Sequence, residues 1–572
     1  MSNFIWKYKL SNADDITKIS NEFALPKSIA TIMSLKNINS KESSRSFFYN
    51  DLNNLHDPLL MKDMDKAINR VVEAKESNQV ILIIGDYDTD GTTAASILQL
   101  YFKSLKIDSY YYIPHREKEG YGISKNAIDY GIKIGAKLII SCDCGITAID
   151  QIEYSNKNQI DFIITDHHKQ KDILPNAYAI LNPNQHDCNY PFKGLCGAGV
   201  AFKFCLGINN RLGDNIDNVF KYLDLVAIAT TADVMPVLDE NRIIISEGMK
   251  RILSGHNRGI KSLINVSNLN NPGLTVGKLA YWFIPKINAA GRLGDASRAV
   301  KLFTTSNPQL ANEIALDLEN ENNKRKAISL QHENEAINII NSHINLETQK
   351  VIILYNKNWH FGIIGIVASR IKELYNRPTI VMTEKDGFYK GSCRSIPGYD
   401  IVEALNSCSD ILDNYGGHPM AAGLSIKTEH LETFCKDINN HGIKNISTNL
   451  TPVISIDYKL KLSEINDRFI NFLNYLEPFG PGNPKPVFVT KNLNSISDVQ
   501  LLGQERETLK FKLNSDHSNL DVIGFRMLEH YEKLLSDKNI DIAYTIDKNY
   551  WNGKYSTQLI LKDIIYSDDR TN

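Results

Sequence analysis

The chain has 572 residues, of which 42% are apolar and 23% are charged, and its formal net charge is −2. A chain of this length is too long for one hydrophobic core, and its composition is that of an ordinary globular protein with several domains. The charge excludes a strongly basic surface over the whole molecule, and the lack of any apolar run of about 18 residues excludes a membrane-spanning helix.

Residues 1–60 predict short helices, of which "NEFALPKSIATIMSL" (21–35) is the clearest, and they contain no recognisable chemistry. The first residues lack the apolar core of a signal peptide. The eight cysteines have no framework-like spacing, which is typical of a protein kept in a reducing compartment. We therefore expect a cytoplasmic location.

From residue 61 to 305 the pattern is that of an α/β domain. Apolar strand candidates alternate with amphipathic segments such as "TTAASILQLYFKSL" (92–105), which predicts a parallel sheet with helices on both faces. The strand candidates are "QVILIIG" (79–85), "AKLIISC" (136–142) and "DFIIT" (161–165). Residues 216–235 and 244–305 predict mainly helical structure.

A highly charged stretch at residues 306–345 predicts one long connecting helix exposed to solvent. A smaller α/β domain follows at 346–447, where two strand-like runs flank the amphipathic helix "GIIGIVASRIKELY" (362–375). Residues 448–572 contain short alternating runs at regular spacing, which predict a small β-barrel or sandwich. In this last region "KFK" and "GFRM" suggest a basic and aromatic groove.

Acids and histidines follow three successive strand candidates, and a further acid ends a helical run. They are Asp86, Asp88 and Asp90, then Asp143, then Asp166, His167 and His168, and finally Asp233. Because ligands of open α/β sheets bind outside the carboxyl ends of the strands, these side chains should meet in one crevice. Carboxylates with imidazole and no thiolate suit Mn²⁺ or Mg²⁺ better than structural zinc. So many acids favour two ions that share a bridging carboxylate.

The separate motifs are weak when taken alone. A single D-x-D-x-D is more often a surface turn or a calcium loop, and "DHH" alone is less informative still. Three strand ends that carry acids or histidines in one domain are much harder to explain structurally. Cys142 and Cys144 form a C-x-C pair around Asp143, but alternation along a strand would point both away from the face that Asp143 uses. We expect both to be core residues.

The segments "GDYDTDG", "SCDCGI", "DHH" and "TADVMPV" resemble, in order and spacing, the four motifs of the DHH phosphoesterase superfamily. "YGGHPMAAGLSI" (415–426) resembles the glycine-rich motif of its companion DHHA1 domain. Further segments resemble the RecJ family, bacterial 5′→3′ exonucleases specific for single-stranded DNA. These are "IPHREKEGYGIS" (113–124), "LCGAGVAFK" (195–203), "KINAAGRLGDA" (286–296), "NWHFGIIGIVASR" (358–370), "GSCRSIPGYD" (391–400) and "LEPFGPGNPKPVF" (476–488). The resemblance runs from about residue 50 to the end and implies a C-terminal OB-fold domain that binds single strands.

The resemblance also implies a set of metal ligands. One ion would take Asp86, Asp88 and the bridging Asp143. The other would take Asp90, Asp143, His167 and Asp233. The division of Asp86 and Asp88 between the ions stays open, as does the choice of Mn²⁺ or Mg²⁺. His168 would face the scissile phosphate, and Asp166 would orient the histidines.

Substrate contacts follow from the same resemblance. Ser392 and Arg394 would hold the 5′-terminal phosphate, and His418 would reach a substrate phosphate. Arg116 and Arg292 would grip the backbone through bidentate hydrogen bonds, and Tyr121 would stack on a base. Lys286 stands where the family commonly has an arginine, which weakens one bidentate contact but keeps its charge.

The prediction is a two-metal exonuclease that degrades single-stranded DNA from the 5′ end, releases 5′-mononucleotides and serves DNA repair and recombination. The alternative is a DHH-family phosphodiesterase acting on short oligonucleotides, which would not need the C-terminal β domain. A non-enzymatic scaffold that binds DNA or replication proteins would be expected to lose metal ligands, and here they are intact. The expected partners are a helicase and a single-strand-binding protein, and the expected oligomeric state is a monomer.

Overall fold

The computed structural model describes most of the chain in nine ranges, and its contacts divide the chain into two units. The described ranges are 4–49, 51–116, 118–269, 274–446, 450–503, 506–515, 518–536, 539–551 and 554–569. The first unit contains Trp6–Glu319 and Ile454–Asn572, and the second contains Asn320–Val453. The predicted domain boundary between 447 and 448 lies outside the described residues. Within the described ranges, no helix combines the length and the apolar character needed to cross a bilayer.

The first unit begins with a short strand and three helices. These are β1 (Ile5–Tyr8), α1 (Ala13–Phe23), α2 (Lys27–Leu35) and α3 (Lys41–Phe48). The Asn12 side chain caps α1 by accepting hydrogen bonds from the backbone N–H groups of Asp14 and Asp15. The predicted helical character of this segment is confirmed.

A five-stranded parallel sheet with the order β3-β2-β4-β5-β6 forms the centre of the first unit. Its elements are α4 (Met64–Glu76), β2 (Ile81–Gly85), α5 (Thr89–Ser104), β3 (Ser109–Tyr112), α6 (Lys125–Lys133), β4 (Leu138–Cys142), α7 (Ile149–Lys157), β5 (Asp161–Thr165) and β6 (Ala179–Leu181). All four strand pairs are parallel, which confirms the predicted sheet. The edge strands β3 and β6 were not predicted, because four and three residues are too few to show a pattern.

Helices follow the sheet along the chain. They are α8 (Gly197–Leu212), α9 (Asp217–Phe220), α10 (Leu223–Ala232), α11 (Asp239–Ser254), α12 (Arg258–Val266), α13 (Val276–Lys278), a π-helical turn (Leu279–Phe283), α14 (Ile284–Leu293), α15 (Ser297–Thr304) and α16 (Pro308–His343). The long helix α16 confirms the predicted connecting helix. The expectation that it is solvent-exposed is wrong for its first turns, because Ala311, Ile314, Ala315 and Leu318 form a helical stripe buried in the core.

The two cysteines around Asp143 are both buried, as predicted, but on different faces of the sheet. Cys142 packs in the core beneath α5 and α8, whereas Cys144 packs in the core that contains Ile128 and Ile152 of α6 and α7. The prediction that they share a face is therefore wrong. Asp143 has a φ of 62°, in the left-handed region, and this backbone turn breaks the alternation of an extended strand.

The second unit contains a five-stranded mixed sheet with the order β10-β11-β9-β8-β7. Its elements are β7 (Ile352–Tyr355), α17 (Ile364–Tyr375), β8 (Thr379–Lys385), β9 (Phe388–Arg394), α18 (Ile401–Asn406), β10 (Leu412–His418), β11 (Ala421–Lys427) and α19 (Leu431–Asn445). Only β7 and β8 pair in parallel among the described strands of this sheet. The second α/β region predicted from the sequence is confirmed.

The C-terminal region folds as a seven-stranded sheet with the order β13-β14-β18-β19-β17-β16-β15. The elements of this sheet and its helices are β13 (Tyr458–Lys459), α20 (Asp467–Tyr475), β14 (Phe488–Leu493), β15 (Ile496–Leu502), β16 (Thr508–Ser515), β17 (Ser518–Gly524), α21 (Tyr531–Ser536), β18 (Ile540–Trp551) and β19 (Lys554–Tyr566). The strand before them, β12 (Val453–Ile456), pairs with β1 in a separate two-stranded sheet. Strands β14 and β15 are consecutive in the chain but pair with different partners, β18 and β16. Closure of the sheet into a barrel stays a prediction.

The N-terminal helices share one hydrophobic core with this C-terminal sheet. Ile19 and Ile29 from α1 and α2 are buried in the same cluster as Phe469 of α20 and Phe488 of β14. The first and last segments of the chain therefore stabilise each other, although more than 400 residues separate them in the sequence.

The predicted basic and aromatic groove on β16 is wrong in its main part. Phe511 is fully buried, because Leu509, Phe511 and Leu513 form the inward-facing side of the strand. The outward-facing lysines are paired with acids on neighbouring strands. Lys510 Nζ lies 3.1 Å from Asp521, and Lys512 Nζ lies 2.7 Å from Asp498.

Candidate active site

Three strands of the parallel sheet end in acidic residues at the same edge. Asp86 directly follows β2, Asp143 follows β4 and Asp166 follows β5. Because these strands are parallel neighbours, their carboxyl ends lie side by side. The fold therefore gathers residues that are as much as 80 positions apart in the sequence.

The carboxylates of Asp86, Asp88 and Asp143 form one set of potential metal ligands. One oxygen from each lies within 4.8 Å of the others. Asp86 and Asp143 are each only 3% exposed. Oδ1 of Asp86 is buried and accepts no hydrogen bond from the described part of the chain. A buried carboxylate oxygen without a donor is costly, and a cation would satisfy it.

A second set contains Asp90, His167 and Asp233, whose ligand atoms also lie within 4.8 Å of one another. Nε2 of His167 is 3.6 Å from Oδ2 of Asp233 and 3.8 Å from Oδ2 of Asp90. The same nitrogen lies 3.1 Å from Oδ1 of Asp143. Asp143 thus stands between the two sets, in the position that a bridging ligand would take.

The electrostatics of the cluster favour bound cations. Burial, together with the Asp88 charge, raises the pKa of Asp86 well above its usual range. Burial and the neighbouring Asp90 and Asp88 carboxylates do the same to the pKa of Asp143. Burial followed by the Asp90 charge raises the pKa of Asp233 to about 8. The raised pKa values of these carboxyl groups reflect the cost of placing several negative charges together, and a bound cation would relieve that cost. Carboxylates with an imidazole are a donor set that suits Mn²⁺ or Mg²⁺.

Backbone N–H groups fix the orientation of Asp90. Its two oxygens accept hydrogen bonds from Gly197 and Ala198, at 2.6 and 2.8 Å, at the first turn of α8. These two N–H groups lie at a helix N-terminus, and they hold the Asp90 carboxylate in one position. Gly197 is required here, because a Cβ at this position would lie 2.5 Å from the Cβ of Asp143.

His168 is held by Asp166 and adjoins Tyr121. Oδ1 of Asp166 lies 2.7 Å from Nδ1 of His168 and accepts hydrogen bonds from the backbone N–H groups of His167 and His168. Burial alone would lower the pKa of His168, but the hydrogen bond and charge of Asp166 outweigh it and raise the pKa to about 9. The Tyr121 hydroxyl lies 3.3 Å from Nε2 of His168. The arrangement leaves Nε2 on the side away from Asp166, where it can donate a proton or a hydrogen bond.

Two arginines adjoin the acids through Tyr87. The guanidinium of Arg116 lies 5.1 Å from the centre of the Tyr87 ring, and the Tyr87 and Tyr121 rings are 6.4 Å apart. Arg292, near the end of α14, is close enough for its charge to act on the Tyr87 hydroxyl. The first unit therefore brings together the metal-ligand candidates, His168, Tyr121, Arg116 and Arg292.

The second unit brings together the residues predicted to bind a terminal phosphate. Nη1 of Arg394 donates to Oγ of Ser392 at 2.9 Å, and Nε donates to Oγ of Ser369 at 3.1 Å. His418 is exposed at the end of β10. It pairs with Ala421, which in turn pairs with Arg394, so His418 and Arg394 are in register two strands apart. Two strand spacings amount to about 10 Å.

Comparison with known proteins supports one family throughout. Models of the DHH family N-terminal domain, the DHHA1 domain and the RecJ OB domain match residues 80–230, 348–441 and 456–563. The single-stranded-DNA-specific exonuclease RecJ of Bacillus subtilis is 33% identical over 99% of this chain and 71% of its own length. The enzyme of the same name from Haemophilus influenzae is 35% identical over 91% of this chain and 93% of its own. The chain belongs to the RecJ family.

A RecJ crystal structure has the same fold. RecJ from Thermus thermophilus in complex with Mn²⁺ superposes with a TM-score of 0.83 and 26% identity, over 98% of this chain and 80% of that one. Its complex with Mg²⁺ gives a TM-score of 0.77 and 25% identity, over 98% and 78% of the two chains. The predicted fold class, an α/β DHH domain with DHHA1 and OB domains, is thus confirmed.

Sequence reasoning missed two residues of this RecJ-family site. Oδ1 of Asn288 accepts hydrogen bonds from the backbone N–H and the hydroxyl of Thr89, at 3.0 and 2.8 Å. These bonds connect α14 to the segment 86–90, which carries Asp86, Asp88 and Asp90. Tyr87 lies within that segment and contacts Arg116. Asn288 belongs to the motif "KINAAGRLGDA", in which Arg292 was predicted to bind substrate because it is charged.

Lys286 is 3% exposed and ion-paired with Glu319. Its charge is therefore balanced within the first unit. Lys286 was expected to weaken one bidentate contact but to keep its charge, and that charge is here paired with a carboxylate. A buried ammonium held in this way is poorly placed to bind phosphate.

Proposed function

We propose that this chain is an exonuclease that hydrolyses single-stranded DNA from the 5′ end and releases 5′-mononucleotides. The observation that carries the proposal is the pair of ligand sets at one sheet edge with Asp143 between them. The named RecJ relatives, which are single-stranded-DNA-specific exonucleases, support the choice of substrate.

The metal ligands are proposed from the two sets. Asp86, Asp88 and Asp143 hold one divalent cation, and Asp90, Asp143, His167 and Asp233 hold the other. The RecJ structures with Mn²⁺ and Mg²⁺ support either ion as the cofactor. When bound, such ions activate water and stabilise the charge of a phosphoryl transition state.

The remaining residues of the first unit bind and orient the strand. His168, protonated through its contact with Asp166, donates from Nε2 to an oxygen of the scissile phosphate. Tyr121, which is 58% exposed, offers a face on which a base stacks. Arg116 and Arg292 bind backbone phosphates, since a guanidinium donates two parallel hydrogen bonds to such an oxygen pair.

The end of the strand is recognised by the second unit. Ser392 and Arg394 bind the 5′-terminal phosphate, and His418 contacts a phosphate of the same strand. A terminal phosphate carries more negative charge at neutral pH than an internal phosphodiester, so an arginine with a neighbouring hydroxyl prefers ends.

The segment roles complete the proposal. The catalytic residues lie in 61–305, and residues 306–345 form the helix that connects this domain to the next. Residues 346–447 bind the end of the DNA strand, and residues 448–572 bind the strand beyond its end. Residues 1–60 stabilise the C-terminal domain. The RecJ OB domain match favours a long substrate over the short oligonucleotides of the alternative phosphodiesterase. The enzyme acts in the cytoplasm as a monomer, with a helicase and a single-strand-binding protein as partners.

Digestion of labelled DNA tests the proposal. A long single strand labelled at its 3′ end should be shortened progressively from the other end, with release of unlabelled mononucleotides, while a duplex of the same sequence stays intact. A dinucleotide degraded faster than the long strand would favour the alternative activity. If a labelled mononucleotide is the first product, the enzyme digests from the 3′ end and the proposed direction is wrong.

A further inference from the structure

A short segment between α10 and α11 carries the metal-ligand candidate Asp233. Asp233 is the C-cap residue of α10, and its backbone N–H donates to Ala229 O at 2.9 Å. Residues 234–238 then lead into α11, which begins at Asp239. The backbone of Asp233 is continuous with the end of α10 and with this segment, so a group that packs on the segment influences where the carboxylate lies.

A loop of the C-terminal domain packs directly on this segment. We name residues 476–484 the docking loop. The backbone N–H of Val237 donates to Pro481 O at 2.7 Å. A Cβ added to Gly480 would lie 2.4 Å from Cγ2 of Val237, and one added to Gly482 would lie 3.0 Å from Leu238. The contact therefore leaves no room for even one additional carbon at Gly480.

Arg242, in the first turns of α11, holds the docking loop and the residue before it by their backbone carbonyls. The arginine is 3% exposed and its nitrogens donate to Tyr475 O, Leu476 O, Glu477 O and Pro478 O, at 2.7 to 3.4 Å. Its remaining Nε donates to Phe47 O at 2.9 Å. A planar guanidinium can hold several carbonyls in one fixed arrangement, which a lysine cannot do.

The other side of the docking loop is braced by Asn483 and Lys36. The Asn483 amide, 1% exposed, donates to Leu476 O and Pro478 O at 2.8 and 2.9 Å and thereby closes the loop on itself. Lys36 Nζ donates to Oδ1 of Asn483 at 2.6 Å and to Pro484 O at 2.9 Å. The docking loop is thus held by hydrogen bonds from Arg242 and from Lys36, in addition to those within the loop.

We propose that the docking loop is a positioning element for Asp233, with Arg242 as its principal positioning residue. The inference rests on the proposed function in one respect, namely that Asp233 is a metal ligand. Through residues 234–238, the docking loop sets the carboxylate against His167. The C-terminal domain is then a structural part of the metal centre as well as a surface for the strand, and disturbing its contact with Val237 weakens metal binding.

The test uses the full-length protein and a steric pair. Gly480→Ala introduces the carbon that meets Val237, and its backbone lies outside the left-handed region, so alanine is otherwise tolerated. Val237→Ala removes the opposing methyl groups, and the double variant should restore the fit. Gly277→Ala is the matched control, since a Cβ there meets nothing closer than 3.9 Å. Arg242→Lys disturbs the docking loop through its carbonyl groups rather than at Gly480, and it serves as the second variant in case Gly480→Ala does not fold.

The main readout is the Mn²⁺ concentration that gives half of the metal-induced rise in melting temperature, measured without DNA. Cleavage of a single strand at saturating Mn²⁺ is the second readout. Gly480→Ala and Arg242→Lys should each raise the half-saturating concentration about tenfold, the usual effect of removing a group that orients a ligand. The Gly480→Ala/Val237→Ala protein and Gly277→Ala should remain within about twofold of wild type.

Asp233→Asn separates this inference from the proposed function. If Asp233→Asn binds Mn²⁺ as wild type does, the ligand assignment itself is overturned. If Asp233→Asn loses affinity while Gly480→Ala and Arg242→Lys keep it and only melt at a lower temperature, the docking loop is a structural contact alone and the present inference is overturned.

Discussion

Oδ1 of Asp166 lies 2.7 Å from Nδ1 of His168 and also accepts the backbone N–H groups of both histidines in the motif. One carboxylate oxygen thus fixes a backbone turn and a ring at once. Its partner oxygen accepts the N–H of Ile146 at 3.0 Å, so the carboxylate cannot rotate without losing that bond. The ring of His168 is held in one orientation before any substrate arrives.

Asp166→Asn should therefore reduce cleavage without removing the metal ligands. The amide oxygen can still accept the backbone N–H groups of His167 and His168, but the NH2 group that replaces the other oxygen cannot accept from Ile146. The neutral amide also no longer stabilises a protonated His168. We expect the turnover rate to fall about 100-fold, within the range of proton-transfer and proton-holding groups. The Mn²⁺-induced rise in melting temperature should persist. A rate within about threefold of wild type would show that the pairing is only structural.

Asp143→Ala should abolish cleavage and leave binding to single-stranded DNA largely intact. The variant removes the carboxylate that both ligand sets approach, while the arginines that bind phosphate remain. Nuclease assays and fluorescence anisotropy with a labelled strand measure the two properties separately. The exposed acid Asp187, which pairs with Lys62 at 2.6 Å, is the matched control for loss of a carboxylate. Activity of Asp143→Ala within tenfold of wild type would contradict the ligand assignment.

The metal-free protein should lose stability as the pH rises from about 5 to about 8. Burial and the Asp90 charge raise the pKa of Asp233 to about 8, so the folded state binds a proton there that the unfolded state releases near pH 4. The contribution is therefore full at low pH and is lost as the pH rises through 8. Urea unfolding in chelator at pH 6 and pH 8 measures the difference, which should be smaller for Asp233→Asn. If the free energy of unfolding changes equally between pH 6 and pH 8 in wild type and in Asp233→Asn, Asp233 is not the origin of the pH dependence.

Arg394→Ala should remove a preference for 5′-phosphorylated strands. Charge-assisted hydrogen bonds contribute about 1.5–3 kcal/mol each, so the loss should be on the order of ten- to a hundredfold. Initial rates on 5′-phosphate and 5′-hydroxyl strands give the ratio for each protein. Arg377→Ala is the control, because this arginine lies in the same unit and donates to Gln349 O. If the variant keeps the full preference, Arg116 or Arg292 becomes the better candidate for reading the end.

Val234→Gly should stabilise the fold. Val234 follows Asp233 with a φ of 57°, a left-handed conformation that is unfavourable for a β-branched residue, and it is 68% exposed. Relief of the strain minus the extra freedom of glycine in the unfolded chain should yield about 0.5–1 kcal/mol. Urea unfolding measures the gain, which should be smaller for Val234→Ala because alanine keeps its Cβ. No gain in either variant would show that the surroundings already accommodate the valine.

The metal-ligand candidates were predictable because each stands at a strand end, and strand ends are visible in a local pattern. Asp86, Asp143 and Asp166 each follow a short strand that contains at least three consecutive apolar residues, and parallel pairing of these strands brings the three acids together. Phe511 was also predictable in principle, since alternation in "TLKFKLN" places the phenylalanine with the leucines rather than with the lysines. The predicted groove was based on charge and aromatic content and did not take this alternation into account.

Other features depend on backbone geometry or on distant partners. No composition rule reveals that Asp143 turns the chain so that Cys142 and Cys144 enter different cores. The sequence around Arg242 is that of an ordinary surface charge within α11, because its carbonyl partners lie 195 or more residues away. Asn288 needed the position of Thr89 before its amide could be given a role.

The shared core of the two chain ends has a consequence for biosynthesis. Ile19 leaves the ribosome long before Phe469, with which it is finally buried, because about 450 residues separate them. At about 5–20 residues per second, translation leaves α1 and α2 without their native partners for roughly 20 to 90 s. During that interval their isoleucines are exposed on the nascent chain and available to chaperones. The first residues to be made are therefore among the last to fold.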